Sequence, residues 1–152
     1  MKNKMNFLQV LHANKNLSGN IYKKNISVEV LSNITLNNIS EVLEYFLRVN
    51  DIQPQIFIGG YDTILPDSFS IKDNKASVAI IFWEAANLTE HLYYKIESWN
   101  ENEIEMLISE KCKEIEILVN NLQQKNLVLF NKFSSLLFTT NELLESKFER
   151  LC

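Results

Sequence analysis

The 152-residue chain has few of the residues that build covalent or metal sites, with only two cysteines and two histidines. Cys112 and Cys152 lie far apart, so neither a disulfide framework nor a metal motif is predicted, and no metal is expected. Two free thiols are typical of a reducing compartment, which favours a cytoplasmic location. Cys112 falls at helical spacing among Ile108, Ile115 and Val119, a pattern that predicts a buried thiol.

Long apolar runs are also lacking. No run approaches the ~18 residues that cross a bilayer, so no membrane partner is expected. Residues 1–16 contain lysines but neither a sustained apolar region nor a small-residue cleavage site, which argues against a signal peptide. The net charge of −4 and pI near 5.2 disfavour a nucleic-acid partner. With 46% hydrophobic and 22% charged residues, the composition is typical of an ordered globular domain.

The stretch from Ile26 to Asn50 organises the rest of the chain. It opens with a β-rich run, breaks at the polar turn Ser32 to Thr35, and continues at helical spacing from Leu36 to Leu47. This pattern predicts a strand that feeds a helix through a tight turn. In an open α/β sheet such a turn lies at the carboxyl end of the strand, where ligands bind. We therefore expect any functional site near Ser32 to Thr35.

Strand and helix patterns alternate along the whole chain. Apolar or β-branched runs predict three further strands, over Gln55 to Ile58, Ser77 to Trp83 and Leu127 to Phe130. Helical patterns cover Met5 to Ala13, a long segment from the Asn100 cap to near Asn126, and a last segment after Thr140. The alternation predicts an α/β fold, specifically a flavodoxin-like three-layer αβα sandwich with a mainly parallel sheet of four or five strands.

The domain organisation follows from the same pattern. Residues 1–24 are predicted to form a leading helix and loop, and residues 25–152 a single α/β domain. The last predicted helix is not followed by a strand, so either the sheet has four strands or the chain is a fragment of a longer protein. We favour the fragment. An incomplete sheet would leave an exposed edge, through which a homodimer is possible.

Two features at predicted strand ends have competing interpretations. Gly59 and Gly60 are predicted to end the second strand with a sharp, positive-φ exit. Paired glycines could admit a phosphate, but GxGxxG and the Walker lysine are both lacking, so no nucleotide or other cofactor is expected. Glu84 directly follows the most apolar strand, where site residues commonly lie. The favoured interpretation is nevertheless that Glu84 is solvated or caps a loop N–H.

Several segments together resemble the N-terminal domain of FkbH-like proteins. They are the leading helix, VEVLSNITLNNISEVLEYFLRVNDIQPQIFIGGYD, SVAIIFW, the long helix and LVLFNKF. The family's first motif, a Gly-Asn-aromatic-Thr turn, matches Ser32-Asn33-Ile34-Thr35 with Ser for Gly and Ile for the aromatic residue. Gly60-Tyr61 matches the second motif and Asn131 the third.

This resemblance implies a domain similar to SGNH hydrolases, usually followed by a HAD-type phosphatase-like domain. It also implies a role in loading glyceryl groups onto acyl carrier protein in polyketide pathways, or in surface-glycan biosynthesis. An acyl carrier protein or the downstream HAD-type domain is the implied partner. The HAD signature is absent from this sequence, which contains no Asp-x-Asp. The predicted substrate-contacting residues are Ser32, Asn33, Thr35, Gly60, Tyr61, Glu84 and Asn131. Glu84 is included because it directly follows the most apolar predicted strand, and not because of the resemblance.

Alignment with the SGNH Gly-Asp-Ser turn puts Ile34 at the nucleophile position, and isoleucine cannot attack a carbonyl. Neither His12 nor His91 follows an aspartate by three residues. The first hypothesis is therefore a non-catalytic domain that positions a carrier protein, a substrate or an adjoining domain. The alternative is a divergent esterase with Ser32 as nucleophile, His91 as base and Glu84 as orienting acid. A weaker third is a flavodoxin-like or response-regulator-like binding domain.

Overall fold

A computed structural model describes residues 5–71, 77–125 and 127–132. Within these residues helices and strands alternate in the order α1 (Phe7–Leu17), β1 (Lys24–Ser32), α2 (Ile39–Val49), β2 (Ile52–Tyr61), α3 (Ile64–Ile71), β3 (Val78–Phe82), α4 (Leu92–Lys95), α5 (Glu101–Leu122) and β4 (Leu127–Phe130). The strands form one sheet in the order β2-β1-β3-β4, and each neighbouring pair is parallel. The predicted α/β fold with a mainly parallel sheet is confirmed.

The sheet separates two apolar layers because side chains alternate between its faces along each strand. On one face, Val28, Val30 and Val78 are buried against Leu43 and Leu47 of α2. The opposite face is covered by α3 and α5, and its buried cluster consists of Leu31, Ile64, Ala79, Ile81, Trp83, Leu118 and Leu122. A fully buried aliphatic side chain contributes about 1.5–3 kcal/mol. The two clusters therefore hold three layers together.

Helix α1 is attached to α2 through polar as well as apolar contacts. Asn14 donates to a carboxylate oxygen of Glu44 at 2.9 Å, and Arg48 Nη1 donates to Asn14 Oδ1 at 2.6 Å and to Glu44 Oε2 at 2.9 Å. Val10 is buried beside this network. Helix α1 extends to Leu17, beyond the predicted end at Ala13.

Helix α5 begins with the predicted capping box. Asn100 Oδ1 accepts the Glu103 N–H at 3.1 Å, and the Glu103 carboxylate accepts the Asn100 N–H at 2.7 Å. The prediction of a buried Cys112 is wrong, because this thiol is exposed. Helix α5 is rotated so that Leu118 and Leu122 face the sheet, which leaves Cys112 on a flank of the helix.

Strand β2 is longer than predicted, and its glycines have a different role. Pro54 lies inside it, which is tolerated because β2 is an edge strand. The prediction of positive φ at Gly59 and Gly60 is wrong, since both are extended and the left-handed residue is Asp62, with φ of 54°. A Cβ at Gly59 would lie 2.8 Å from Asp67 Oδ2. Close packing, not chain reversal, therefore explains glycine at that position.

The connections are more helical than the sequence indicates. Helix α2 begins at Ile39, after Asn38 in the left-handed region, instead of at Leu36. The segment after Tyr61, predicted as a loop or short helical turn, contains α3. The segment predicted to be irregular between β3 and α5 contains α4 and two short 3-10 turns. The predicted helix after Thr140 lies outside the described residues.

Candidate functional site

The carboxyl ends of β1, β3 and β4 lie side by side and present Asn33, Glu84 and Asn131 at one edge of the sheet. The helix that follows β1 covers one face, whereas α5, which follows β3, covers the other. The β1/β3 boundary is therefore the topological switch point, where ligands of open α/β sheets bind. The sequence prediction that the Ser32 to Thr35 turn lies at this edge agrees with the structure.

Asn33 is fully buried and is bonded to the strand next to it. Its Oδ1 accepts the Glu84 N–H at 2.7 Å, and its Nδ2 donates to the Glu84 carbonyl at 3.0 Å. Its own N–H donates to the Phe82 carbonyl at 3.2 Å, and its carbonyl accepts from Asn87 Nδ2 at 3.2 Å. Each polar group of Asn33 thus has a partner within the protein.

Asn131 makes the equivalent contact from the other side. Its Oδ1 accepts the Trp83 N–H at 2.6 Å, and its Nδ2 donates to the Trp83 carbonyl at 3.1 Å and to the Lys132 carbonyl at 3.2 Å. We call the side chains of Asn33 and Asn131, together with the backbone of Trp83 and Glu84, the amide clamp. It satisfies the backbone groups of β3 just beyond the sheet, where strand partners end.

The other predicted site residues near the clamp, Ser32, Thr35 and Glu84, are not part of it through their side chains. The Ser32 hydroxyl donates to the Ile34 carbonyl at 2.7 Å, and Ser32 is only 5% exposed. Thr35 is exposed. The Glu84 carboxylate accepts the Ala86 N–H at 3.4 Å and caps a 3-10 turn. This contact matches the capping role favoured for Glu84.

His91 lies on the loop before α4, in the left-handed region with φ of 60°. Its Nε2 lies 3.3 Å from a Glu90 carboxylate oxygen, and its side chain is 64% exposed. Among the described hydrogen bonds, none joins the side chains of Ser32, His91 and Glu84. The described residues thus contain no assembled triad of these three side chains.

A cleft of about 450 Å³ opens beside the amide clamp. Tyr61 and Asp62 line it from the end of β2, residues 86–91 from the segment after β3, and Lys111 and Glu114 from α5. Of the predicted contact residues, Tyr61 lines this cleft, as does His91 from the alternative triad. The sequence analysis did not identify Lys111 and Glu114 as site residues.

The cleft is polar and contains more carboxylates than cations. Lys111 Nζ lies 2.8 Å from Glu114 Oε1, and both side chains are largely buried, at 16% and 25% exposure. Asp62 and Glu90 add two further carboxylates to the lining. Such a surface suits a neutral, hydrogen-bonding ligand better than an anion. Nowhere in residues 5–71, 77–125 and 127–132 do three or more His, Cys, Asp or Glu side chains group as metal ligands.

No protein-family profile matches the chain, and no curated protein is significantly similar to it. Its fold is similar to a crystal structure of the N-terminal part of the protein BF1531 from Bacteroides fragilis, which contains a phosphatase domain and is complexed with Mg. The TM-score is 0.68 and the identity 12%, over 88% of this chain and 34% of the other. The likeness shows the fold alone, and this chain spans about a third of that structure.

None of the helices in the described part of the chain is long and apolar enough to span a membrane.

Proposed function

We propose that this chain is a non-catalytic, SGNH-like N-terminal domain of an FkbH-like protein. In this proposal it positions a carrier protein or a substrate for a downstream HAD-type domain in polyketide or surface-glycan biosynthesis. The observation that carries the proposal is the closed turn after β1. In the alignment with the SGNH turn Ile34 takes the nucleophile position, and in the structure the nearby Ser32 hydroxyl is buried and donates to the Ile34 carbonyl at 2.7 Å.

The amide clamp supports the same interpretation. An oxyanion hole needs donors directed at the position where charge develops on a reacting oxygen. Here Nδ2 of Asn33 is directed at the Glu84 carbonyl and Nδ2 of Asn131 at the Trp83 carbonyl. Both amides therefore stabilise the protein's own backbone, and their use by a substrate would leave buried carbonyls without partners.

The fold comparison supports a place in a longer protein. The similar Bacteroides fragilis structure is the N-terminal part of a protein, and this part contains a phosphatase domain. A phosphatase-type domain after this one fits the FkbH-like arrangement. The open cleft beside the amide clamp would then be the surface that contacts the substrate, with Tyr61 at its rim.

Absence of hydrolysis is tested with short acyl-nitrophenyl esters and the purified chain. We expect nitrophenol release no faster than in buffer, for both the parent and Ser32→Ala, because Ser32 is not placed beside a base. Thr35→Ala is the matched control in the same turn. Turnover that disappears in Ser32→Ala and in His91→Ala, but not in Thr35→Ala, would contradict the proposal and favour the divergent esterase.

The positioning role is tested in the protein that contains the downstream domain. The coding sequence after Cys152 should encode a HAD-type Asp-x-Asp motif. In that protein, we expect Tyr61→Ala to raise KM for a carrier-bound substrate and to leave turnover of a small soluble phosphate unchanged. Thr35→Ala, which lies outside the cleft, should change neither. An equal loss on both substrates in Tyr61→Ala would contradict positioning and indicate a general structural effect.

A further inference from the structure

Several polar side chains in the cleft have hydrogen-bonding groups that the protein does not use. The Tyr61 hydroxyl, the Asp62 carboxylate and the Thr89 hydroxyl line the cleft, and within the described part of the chain none of them makes a hydrogen bond. In the neighbouring amide clamp both side-chain amides are bonded. Because a ligand can bond only to groups that the protein leaves free, the cleft is the part of this edge that can receive one.

Trp83 adds a hydrogen-bond donor to the lining of the cleft. It is only 6% exposed, and its backbone is held by Asn131, but its indole N–H makes none of the hydrogen bonds among residues 5–71, 77–125 and 127–132. In those residues the buried side-chain nitrogen that lacks a partner is Arg48 Nε, so the indole nitrogen is not enclosed in the interior. It therefore reaches the surface, and the described cavity that Trp83 lines is the cleft.

The unused groups of the cleft include donors and acceptors. A ligand must accept from the indole N–H of Trp83 and donate to carboxylates such as that of Asp62. A hydroxyl group does both. A phosphate only accepts, and it would meet like charges on Asp62 and Glu90. An alkylammonium group only donates, which would leave the indole N–H without an acceptor.

The cleft also has an apolar part. Tyr61 is 66% exposed, so one face of its ring is open to a ligand. Leu65, Pro66 and Leu88 line the cleft near this aromatic side chain. A sugar ring has apolar C–H faces, which pack on aromatic rings, and hydroxyls around its edge. The cleft volume of about 450 Å³ lies within the range of about 300–1,000 Å³ for small-molecule sites.

We propose that the cleft binds an uncharged sugar ring. The ring packs against Tyr61, a sugar oxygen accepts the indole N–H of Trp83, and sugar hydroxyls donate to the Asp62 carboxylate. This inference rests on the proposed function for the role of the bound sugar, because that function makes the cleft the surface that contacts the substrate. It adds the chemical class of the group that the substrate presents there.

The test follows the two indole N–H signals of the chain in nitrogen–proton NMR correlation spectra, since the sequence contains two tryptophans. Trp99 does not line the cleft and serves as an internal reference, and the variant Trp99→Phe assigns the two signals. The probes are the methyl glycosides of glucose, galactose, mannose and N-acetylglucosamine. At least one should shift the Trp83 signal saturably, with a Kd of about 10 mM or below, and leave the Trp99 signal in place.

Inorganic phosphate and methylammonium are the charged comparisons. Neither should shift the Trp83 signal as strongly as the best glycoside does. The proposal would be overturned if none of the glycosides gave a saturable shift up to about 50 mM. It would also be overturned if phosphate or methylammonium bound as tightly as the glycosides, because charge and not the sugar ring would then explain the binding.

Two variants locate the bound sugar. Tyr61→Ala should weaken binding by about tenfold, because the ring that packs on the sugar is lost. Phe69→Ala is the matched control, since Phe69 is an aromatic residue of similar exposure, at 56%, that does not line the cleft. Asp62→Asn should weaken binding by about fivefold. Unchanged binding in both Tyr61→Ala and Asp62→Asn would place the sugar elsewhere and overturn the proposal.

Binding is measured on this chain alone, so its outcome is separable from that of the proposed function. Sugar binding together with a downstream sequence that lacks a HAD-type motif would support this inference and contradict the proposed function. A HAD-type motif together with a cleft that binds no sugar would do the reverse.

Discussion

The amide clamp and the cleft are neighbours at the carboxyl edge of the sheet, yet their polar groups serve different purposes. Asn33 is fully buried with all its polar groups bonded, whereas Tyr61, at the rim of the cleft, is 66% exposed. Both residues match short motifs of the same family resemblance. The difference shows that a polar residue at a strand end is available to a ligand only when the protein leaves its hydrogen-bonding capacity unused.

This comparison separates stability from binding. If the amide clamp is structural and the cleft is a binding surface, substitutions in the first should lower the free energy of unfolding. Substitutions in the second should leave it almost unchanged. The following predictions run from the largest expected effect on stability to the smallest.

Asn33→Ala is expected to lower the free energy of unfolding by about 2–4 kcal/mol. It removes two hydrogen bonds and leaves the partly buried N–H and carbonyl of Glu84 without these partners. Denaturant titration followed by circular dichroism measures the change. A loss below about 0.5 kcal/mol would show that the clamp is not structural and would return Asn33 to the ligand-binding candidates.

Gly59→Ala is expected to lower the free energy of unfolding by about 1–3 kcal/mol. The added methyl group would lie only 2.8 Å from Asp67 Oδ2 and 2.9 Å from Leu31 Cδ2. Asp67 Oδ2 accepts the Gly60 N–H at 2.9 Å and the Thr63 hydroxyl at 2.6 Å. Displacing it should disturb the end of β2, which carries Tyr61. Thermal unfolding reports the loss, and Gly19→Ala is the control, because nothing lies within 4 Å of its added methyl.

Asn131→Ala should lower the free energy of unfolding by about 1–2 kcal/mol, which is less than the loss expected for Asn33→Ala. It removes the same pair of contacts, here to Trp83, but Asn131 is half-buried and water can replace part of the lost hydrogen bonding. The two single variants and the double variant are compared by denaturant titration. A larger loss for Asn131→Ala than for Asn33→Ala would contradict the expectation that the more deeply buried asparagine contributes more to stability.

Tyr61→Ala and His91→Ala should each change the free energy of unfolding by less than about 0.5 kcal/mol. Both side chains are largely exposed, and the His91 contact with Glu90 lies at the surface, where such contacts contribute little to stability. Denaturant titration of each variant checks this expectation. A loss above about 1 kcal/mol would assign the residue a structural role and weaken the interpretation of the cleft as a binding surface.

Elements with a strong local signal were predicted well from the sequence. The short, continuous apolar run with Val and Ile predicted β3, and the Asn100 and Glu103 pair marked the start of α5. Pro54 and Gly59 misled the prediction of β2, because proline and glycine usually interrupt strands. Only the position of β2 at the edge of the sheet, which depends on strand order, makes Pro54 acceptable there.

The candidate site was less predictable because its contacts join distant parts of the chain. The sequence identified Asn33, Glu84 and Asn131, but not that the two asparagines bond to the backbone of Glu84 and Trp83, just after β3. Lys111 was not identified, since its position on a helix does not show that it lines a cleft with residues 86–91. Cys112 was expected in the core because periodicity gives the width of an apolar stripe but not how much of it the sheet covers.

The parallel pairing of the strands has a consequence for synthesis of the chain. Lys24 pairs with Ile52, Val28 with Val78, and Val78 with Leu127, so each pairing joins two strands that are separated by at least one whole helix in the chain. Such non-local pairing is slow to form. On the ribosome, β1 must therefore wait with one edge unpaired until β3 has emerged, which exposes a valine-rich segment to chaperones and to other nascent chains.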